Sequence, residues 1–157
     1  MSNYWYFDLV SENGSSQEFE TNDIFSIQEL MIDGNKVFNI EDDYGFAKHV
    51  VPEGIVCDEE LLQILKDFDT ADELCKAQMY AKYVLGVNHC KLEDINIFIG
   101  DINTYAQQCV ADRFNIDIDD TFILYYVNIE RYAHDIMTND RIEEFRFDGQ
   151  YYLYIPS

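Results

Sequence analysis

The stretch 119–138, DDTFILYYVNIERYAHDIMT, constrains the fold more than any other part of this chain. Its apolar residues Phe122, Tyr126, Ile129, Ala133 and Ile136 recur at steps of four, three, four and three, the spacing of one continuous stripe on a helix. Asp119 and Asp120 precede the stripe as N-cap and first-turn acid, facing the positive end of the helix dipole. Asn128, Glu130, Arg131, His134 and Asp135 lie off the stripe, and the helix has room to break near Asn128. The pattern predicts an amphipathic helix with one face in a core.

The rest of the chain supplies elements to cover that face. Residues 3–10 are aromatic and rich in β-formers, and the Asn-Gly of ENGSS turns them into a second strand over 17–21. Ile24, Ile27 and Leu30 mark a short helix that ends at Asp33-Gly34, and KVFNI over 36–40 is a third strand. Pro52 and Gly54 mark a junction. Beyond it Leu61, Leu62, Leu65 and Phe68 make one helical stripe, with Asp58, Glu59 and Glu60 in its first turn. Thr70 and Glu73 have capping-box spacing for a second helix carrying Leu74, Ala77, Ala81 and Leu85, with Gly86 after its end. Residues 92–99 are a short strand or the start of a linker. Asp101 or Asn103 then caps a helix that buries Tyr105, Ala106, Cys109, Val110 and Phe114. The end, EEFRFDGQYYLYI, is a hairpin turning at Asp148-Gly149. These segments predict an α+β chain of three small subdomains: a sheet with a helix over 1–51, a helical subdomain over 52–95, and helices with a β-hairpin over 96–157.

Charge sets the functional class. The chain has 31 acids against 10 bases, net −21, yet 48% of its residues are hydrophobic and 12 are tyrosine. Acidic disordered chains lack that apolar content, so the acid decorates a folded surface. It is spread evenly: residues 1–50 hold 10 acids and 2 bases, 51–100 hold 10 and 4, and 101–157 hold 11 and 4. A small domain needs a net charge of only about 2–8 for solubility. Duplex DNA carries one charge per roughly 1.7 Å, so 21 charges match about 36 Å of duplex. A compact chain of this length is roughly 40 Å across. The negative charge per unit length is that of B-DNA, which points to a nucleic-acid mimic. The same field disfavours direct nucleic-acid binding, which needs Lys and Arg. The phosphate-mimicking candidates are Glu41, Asp42 and Asp43 after the third strand; Asp58, Glu59, Glu60, Asp67, Asp69, Asp72 and Glu73 on the helical pair; and Asp112, Asp117, Asp119 and Asp120 beside the last helix. Ordinary solvated faces and helix starts also carry such clusters; the spread over three segments favours mimicry.

Catalytic and metal chemistry find little footing. His49, His89 and His134 are far apart and outside any catalytic signature, and no glycine-rich phosphate loop or nucleophile elbow occurs. His134-Asp135 invites a metal-phosphohydrolase reading but lacks companion ligands. The acids from Asp117 fail as an EF-hand because the sixth position is Phe122 and the twelfth Asn128. Cys57, Cys75, Cys90 and Cys109 are 18, 15 and 19 apart, without the short spacing of a zinc or redox site. The expectation is no cofactor and no metal. MSNYWYFDLV has no basic segment or long apolar run, and no stretch reaches transmembrane length. These features predict a cytoplasmic protein with reduced, mostly buried thiols and no membrane association.

Residues 126–136 carry a resemblance. The stretch resembles the tyrosine-rich hallmark of ArdA-type antirestriction proteins, Tyr-Ile-Asp-Tyr-Glu-x-Tyr-Gly-Arg-Asp-Leu. Tyr126, Glu130, Tyr132 and Asp135 match, and Val127 and Ile136 are conservative replacements. Asn128, Ile129, Ala133 and His134 depart from it. The closing GQYYLY is also similar to the family's ending, and NIEDDYGF and the helix after Pro52 fall in the expected order. The resemblance implies three subdomains in a curved, elongated chain that dimerises into a mimic of bent B-form DNA. Such dimers occupy the DNA-binding groove of type I restriction–modification enzymes and protect phage or mobile-element DNA in a bacterial host. Tyr126, Val127, Glu130, Tyr132, Asp135 and Ile136 would then be structural or lie at the dimer interface. The alternatives are mimicry aimed at another defence nuclease such as a CRISPR effector, an acidic adaptor for a basic protein, and a hydrolase built on His134 and Asp135.

Overall fold

A computed structural model describes residues 3–157, the side chain of Leu124 excepted. The fold is α+β, 44% helix and 21% strand, with two small antiparallel sheets. The chain divides into two compact units, the first ending at Asn88 and the second running from His89 to Ser157.

In the first unit, β1 (Trp5–Val10) lies between β2 (Ser16–Thr21) and β3 (Lys36–Asp42), all antiparallel. Period-2 alternation sends Trp5, Phe7 and Leu9 to one face, and all three are buried. Helix α1 (Ile24–Ile32) is capped by Asp23, whose carboxylate accepts from Phe25 N at 3.0 Å, and buries Ile24 and Ile27. The short α2 (Ala47–Val50) follows β3, and α3 (Glu59–Thr70) and α4 (Glu73–Tyr83) complete the unit. Pro52 and Gly54, the expected junction, fall inside it. Phe46 on one side of them stacks on Phe68 of α3 at 3.9 Å, and Tyr83 of α4 meets Phe46 edge-on at 5.7 Å. The sheet and the helical pair thus share one aromatic core.

Thr70 does not start α4. It is the last residue of α3, Ala71 is extended, and Asp72 caps α4 by accepting from Cys75 N at 2.8 Å. A carboxylate two positions on supplies the same service as the expected threonine, so the helix begins there. Leu74, expected in that helix's stripe, is exposed.

The second unit opens with a 3₁₀ turn over Leu92–Asp94, followed by β4 (Ile97–Ile99) and α5 (Ile102–Phe114). Asp101 caps α5 through Thr104 N at 2.8 Å. That hydrogen bond holds the Asp101 carboxyl below its ordinary value. Strands β5 (Glu143–Phe147) and β6 (Gln150–Tyr154) form the hairpin, with β6 central between β4 and β5. Asp148 and Gly149 have φ of 51° and 76°, the positive pair that a two-residue type I′ turn requires. Inside the hairpin Tyr152 stacks on Phe147 at 4.6 Å.

The 119–138 stretch is two helices, α6 (Thr121–Tyr126) and α7 (Ile129–Asn139). Val127 is extended, and the Asn128 side chain accepts from Arg131 N at 3.1 Å to start α7. The break ends the expected continuous stripe. Ile123 is buried against Val110 and Ala111, with Val127, Ile129 and Tyr132 packed around them. Phe122 and Tyr126 are instead 42% and 78% exposed, and Phe114, also expected inside, is 55% exposed. Asn128→Ala tests the break. Losing the cap costs about 1 kcal/mol in chemical denaturation, whereas one continuous helix would be stabilised by alanine's higher propensity.

Candidate functional site

The expected carboxylates separate into those with work inside the fold and those turned to solvent. Asp42 is buried. Its Oδ1 accepts from Phe46 N at 2.7 Å and Ala47 N at 2.8 Å, and its Oδ2 from Asn3 Nδ2 at 3.2 Å. It is an internal cap for α2, so the expectation that it presents charge to a partner is corrected. Asp43 beside it is exposed and ties the chain start, accepting from Tyr4 N at 2.9 Å. Asp69 is half-buried, and burial raises its carboxyl above the ordinary value, against the opposing pull of Lys76.

Asp58, Asp72 and Asp120 are N-caps of α3, α4 and α6. Each spends one lone pair on a backbone N–H and keeps the rest at the surface, Asp58 and Asp72 fully and Asp120 in part. Asp67 and Asp112 accept from Gln63 Nε2 and Gln108 Nε2, one helical turn back, and are exposed. Glu73 is exposed in the first turn of α4. Glu41, Glu59, Glu60, Asp117 and Asp119 are exposed, and their carboxylates have no hydrogen-bond partner among the described residues. Asp67 and Asp69 sit in the last turn of α3, which holds no basic residue, where the helix dipole opposes a negative charge.

Sequence reasoning missed an acidic face in the first unit. The register sets Glu20 opposite Tyr6, Tyr6 opposite Glu41, and Asp8 opposite Glu18. These side chains share the sheet face opposite to Trp5, beside a concave space of about 790 Å3 that Lys48 and Glu53 also line. Like charges directly opposed across strands are destabilising. A bulge in the β1–β3 pairing shapes this face. Asn39 there has φ of 53°, donates to Asp8 Oδ2 at 2.8 Å and accepts from Gly54 N at 2.9 Å. The Glu18-Phe19-Glu20 alternation was the available signal: two acids at i and i+2 on a strand necessarily share a face.

The cations near these carboxylates, Lys48 at the acidic face and Lys76 by Asp69, form no direct ion pair with them. Lys66, Lys76, Lys82 and Arg146 lie over the rings of Phe25, Phe68, Tyr83 and Tyr151, 5.1–6.0 Å from their centres. Among the described residues, Glu73 aside, the one contact between a basic and an acidic side chain within ion-pair distance is His134 Nδ1 to Asp135 Oδ1 at 3.9 Å, both side chains well exposed. No three His, Cys, Asp or Glu among the described residues are grouped to hold a metal ion. The four cysteines are free, but only Cys57 is buried, which corrects the expectation for the other three. Burial first, then Asp58, pushes the Cys57 thiol up to about 12. No helix among the described residues is long and apolar enough to cross a membrane.

The motif residues 126–136 are divided by the helix break. Tyr126 ends α6 with its ring in solvent, beside exposed Tyr125. Val127 and Tyr132 pack on the Val110–Ile123 core and Ile136 is half-buried, while Glu130 and Asp135 are exposed on α7. Tyr126, Phe122 and Phe114 form a chain of rings with centres 6.0 and 5.6 Å apart. No family model, no curated protein and no solved structure matches this chain.

Proposed function

We propose that this protein is a non-enzymatic DNA mimic that occupies the DNA-binding groove of a type I restriction–modification enzyme and so shields phage or mobile-element DNA in the bacterial cytoplasm. One observation carries the proposal. Exposed carboxylates stand on both units of a chain whose acids outnumber its bases 31 to 10, while three lysines and an arginine are turned onto aromatic rings. A surface selected only for solubility or stability would neutralise part of this field, because self-repulsion opposes compaction. Asp and Glu side chains would stand in for phosphates and engage the Lys and Arg of the partner's groove. The resemblance of residues 126–136 to the antirestriction hallmark names the target class. It also places Tyr126 at a contact with a second copy, and the exposed rings of Phe114, Phe122 and Tyr125 near it would extend that contact.

The test is a competition titration. A type I methyltransferase holding labelled duplex DNA is titrated with the protein at several salt concentrations. The expected result is displacement near stoichiometric ratios that weakens as salt rises, since the paired charges are screened. Absence of displacement at low salt would rule out the type I target.

A further inference from the structure

β2 is an open edge. It pairs with β1 on one side over six consecutive residue pairs without a bulge, and no strand among the described residues pairs with it on the other. Five of its six residues are exposed. Alternate residues of such a strand direct their N–H and C=O groups outward, ready to pair with another chain. Folded proteins usually blunt such edges with lysine, proline, a bulge or a covering element. β2 has no lysine, proline or bulge, and no cover among the described residues; its one guard is the charge of Glu18 and Glu20, which disfavours an acidic or apolar strand but attracts a basic one.

We propose that the β2 edge is a strand-addition site for an extended segment of a basic partner in which Lys or Arg alternates with apolar residues. An added strand would continue two rows already laid across the sheet: Glu20–Tyr6–Glu41 and Glu18–Asp8. Its residues beside Glu18 and Glu20 lie two apart on the acidic face, next to the concave space, and basic side chains complement them there. The residue between them falls on the opposite face beside Phe19. That ring stacks on Phe7 at 5.8 Å yet stays 36% exposed, and an apolar neighbour would cover it. Charge excludes a second copy as the occupant, because two β2 edges would bring acidic row against acidic row. This proposal goes beyond DNA mimicry and does not depend on it.

The test uses the full chain and three labelled peptides, each about ten residues long. One alternates Lys and Val. The second has the same composition in two blocks. The third alternates but is N-methylated at every second residue, on the edge that would face β2. Fluorescence anisotropy at low salt and amide hydrogen exchange of the protein are both read. The expected result is that the alternating peptide binds roughly tenfold tighter than either control. It also slows exchange of β2 amides, and both effects vanish in the double variant Glu18→Lys, Glu20→Lys. Equal binding of all three peptides would reduce the edge to unspecific electrostatics and overturn the proposal. No β2 protection with the alternating peptide would leave the two glutamates as guards against aggregation, and would overturn it equally. Neither outcome bears on displacement from duplex DNA.

Discussion

Asp42→Ala lowers the stability of the first unit by about 3 kcal/mol. The substitution removes the acceptor for Phe46 N, Ala47 N and Asn3 Nδ2 at a buried position. Each buried donor left without a partner costs about 1–3 kcal/mol. The damage spreads because Phe46 follows the cap directly and stacks on Phe68, so the turn that Asp42 holds also seats the ring joining sheet to helices. Asp42→Asn keeps an oxygen for the two backbone donors and loses only the contact with Asn3, at about 1 kcal/mol. Glu41→Ala, one residue away on the exposed face, stays within about 0.5 kcal/mol of the native chain. Urea unfolding followed by Trp5 measures all three, since Trp5 is the one tryptophan of the chain and is fully buried in this unit. An Asp42→Ala variant as stable as Glu41→Ala would mean that Asp42 does not hold the turn.

A chain in which Glu41, Glu59, Glu60, Asp117 and Asp119 are all converted to their amides displaces duplex DNA from the type I enzyme about 50-fold less well than the native protein. Each single amide changes displacement by only about two- to threefold, because one exposed ion pair is worth little and is screened by salt. These five side chains have no hydrogen-bond partner among the described residues, so their charge can be removed without disturbing a cap. Relief of self-repulsion offsets the loss of the helix-dipole stabilisation that Glu59 and Glu60 give the first turn of α3, and urea unfolding of the variant separates weak inhibition from unfolding. Unchanged displacement by the five-amide chain would sink the idea that these carboxylates stand in for phosphates. A parallel variant built on Asp42, Asp58, Asp72 and Asp120 would mislead, because those carboxylates accept from backbone N–H groups at helix starts and their loss destabilises the fold.

The strands of the first sheet, the hairpin at Asp148-Gly149 and the cap at Asp101, one of the two residues expected there, were legible in the sequence, while Asp58, expected in the first turn of α3, is its N-cap. Each is a local event: an alternation, a turn dipeptide, or a carboxylate three residues before the N–H it accepts from. The break at Asn128 was only half legible. The step pattern through 119–138 satisfies a helix on both sides of it. Which of Phe122 and Ile123 faces inward depends on where Val110 and Ala111 of another helix lie. Asp42 is the sharper case. In the sequence Glu41, Asp42 and Asp43 are one acidic cluster, and strand alternation turns the middle one into the core and leaves its neighbours outside.

The sequence by itself determined the α+β class, the even negative charge and the ends of α1 and α5, because propensity, capping and net charge act over a few residues or over the whole composition. Tertiary structure alone decided which carboxylates meet solvent, that Phe46 and Phe68 share a core across Pro52, and that Asp8, Glu18, Glu20 and Glu41 share one face. Those depend on strand register, which sets Asp8 against Glu18 and Tyr6 against Glu41, and on contacts such as Phe46 with Phe68 that join segments distant in the sequence, where no local rule reaches.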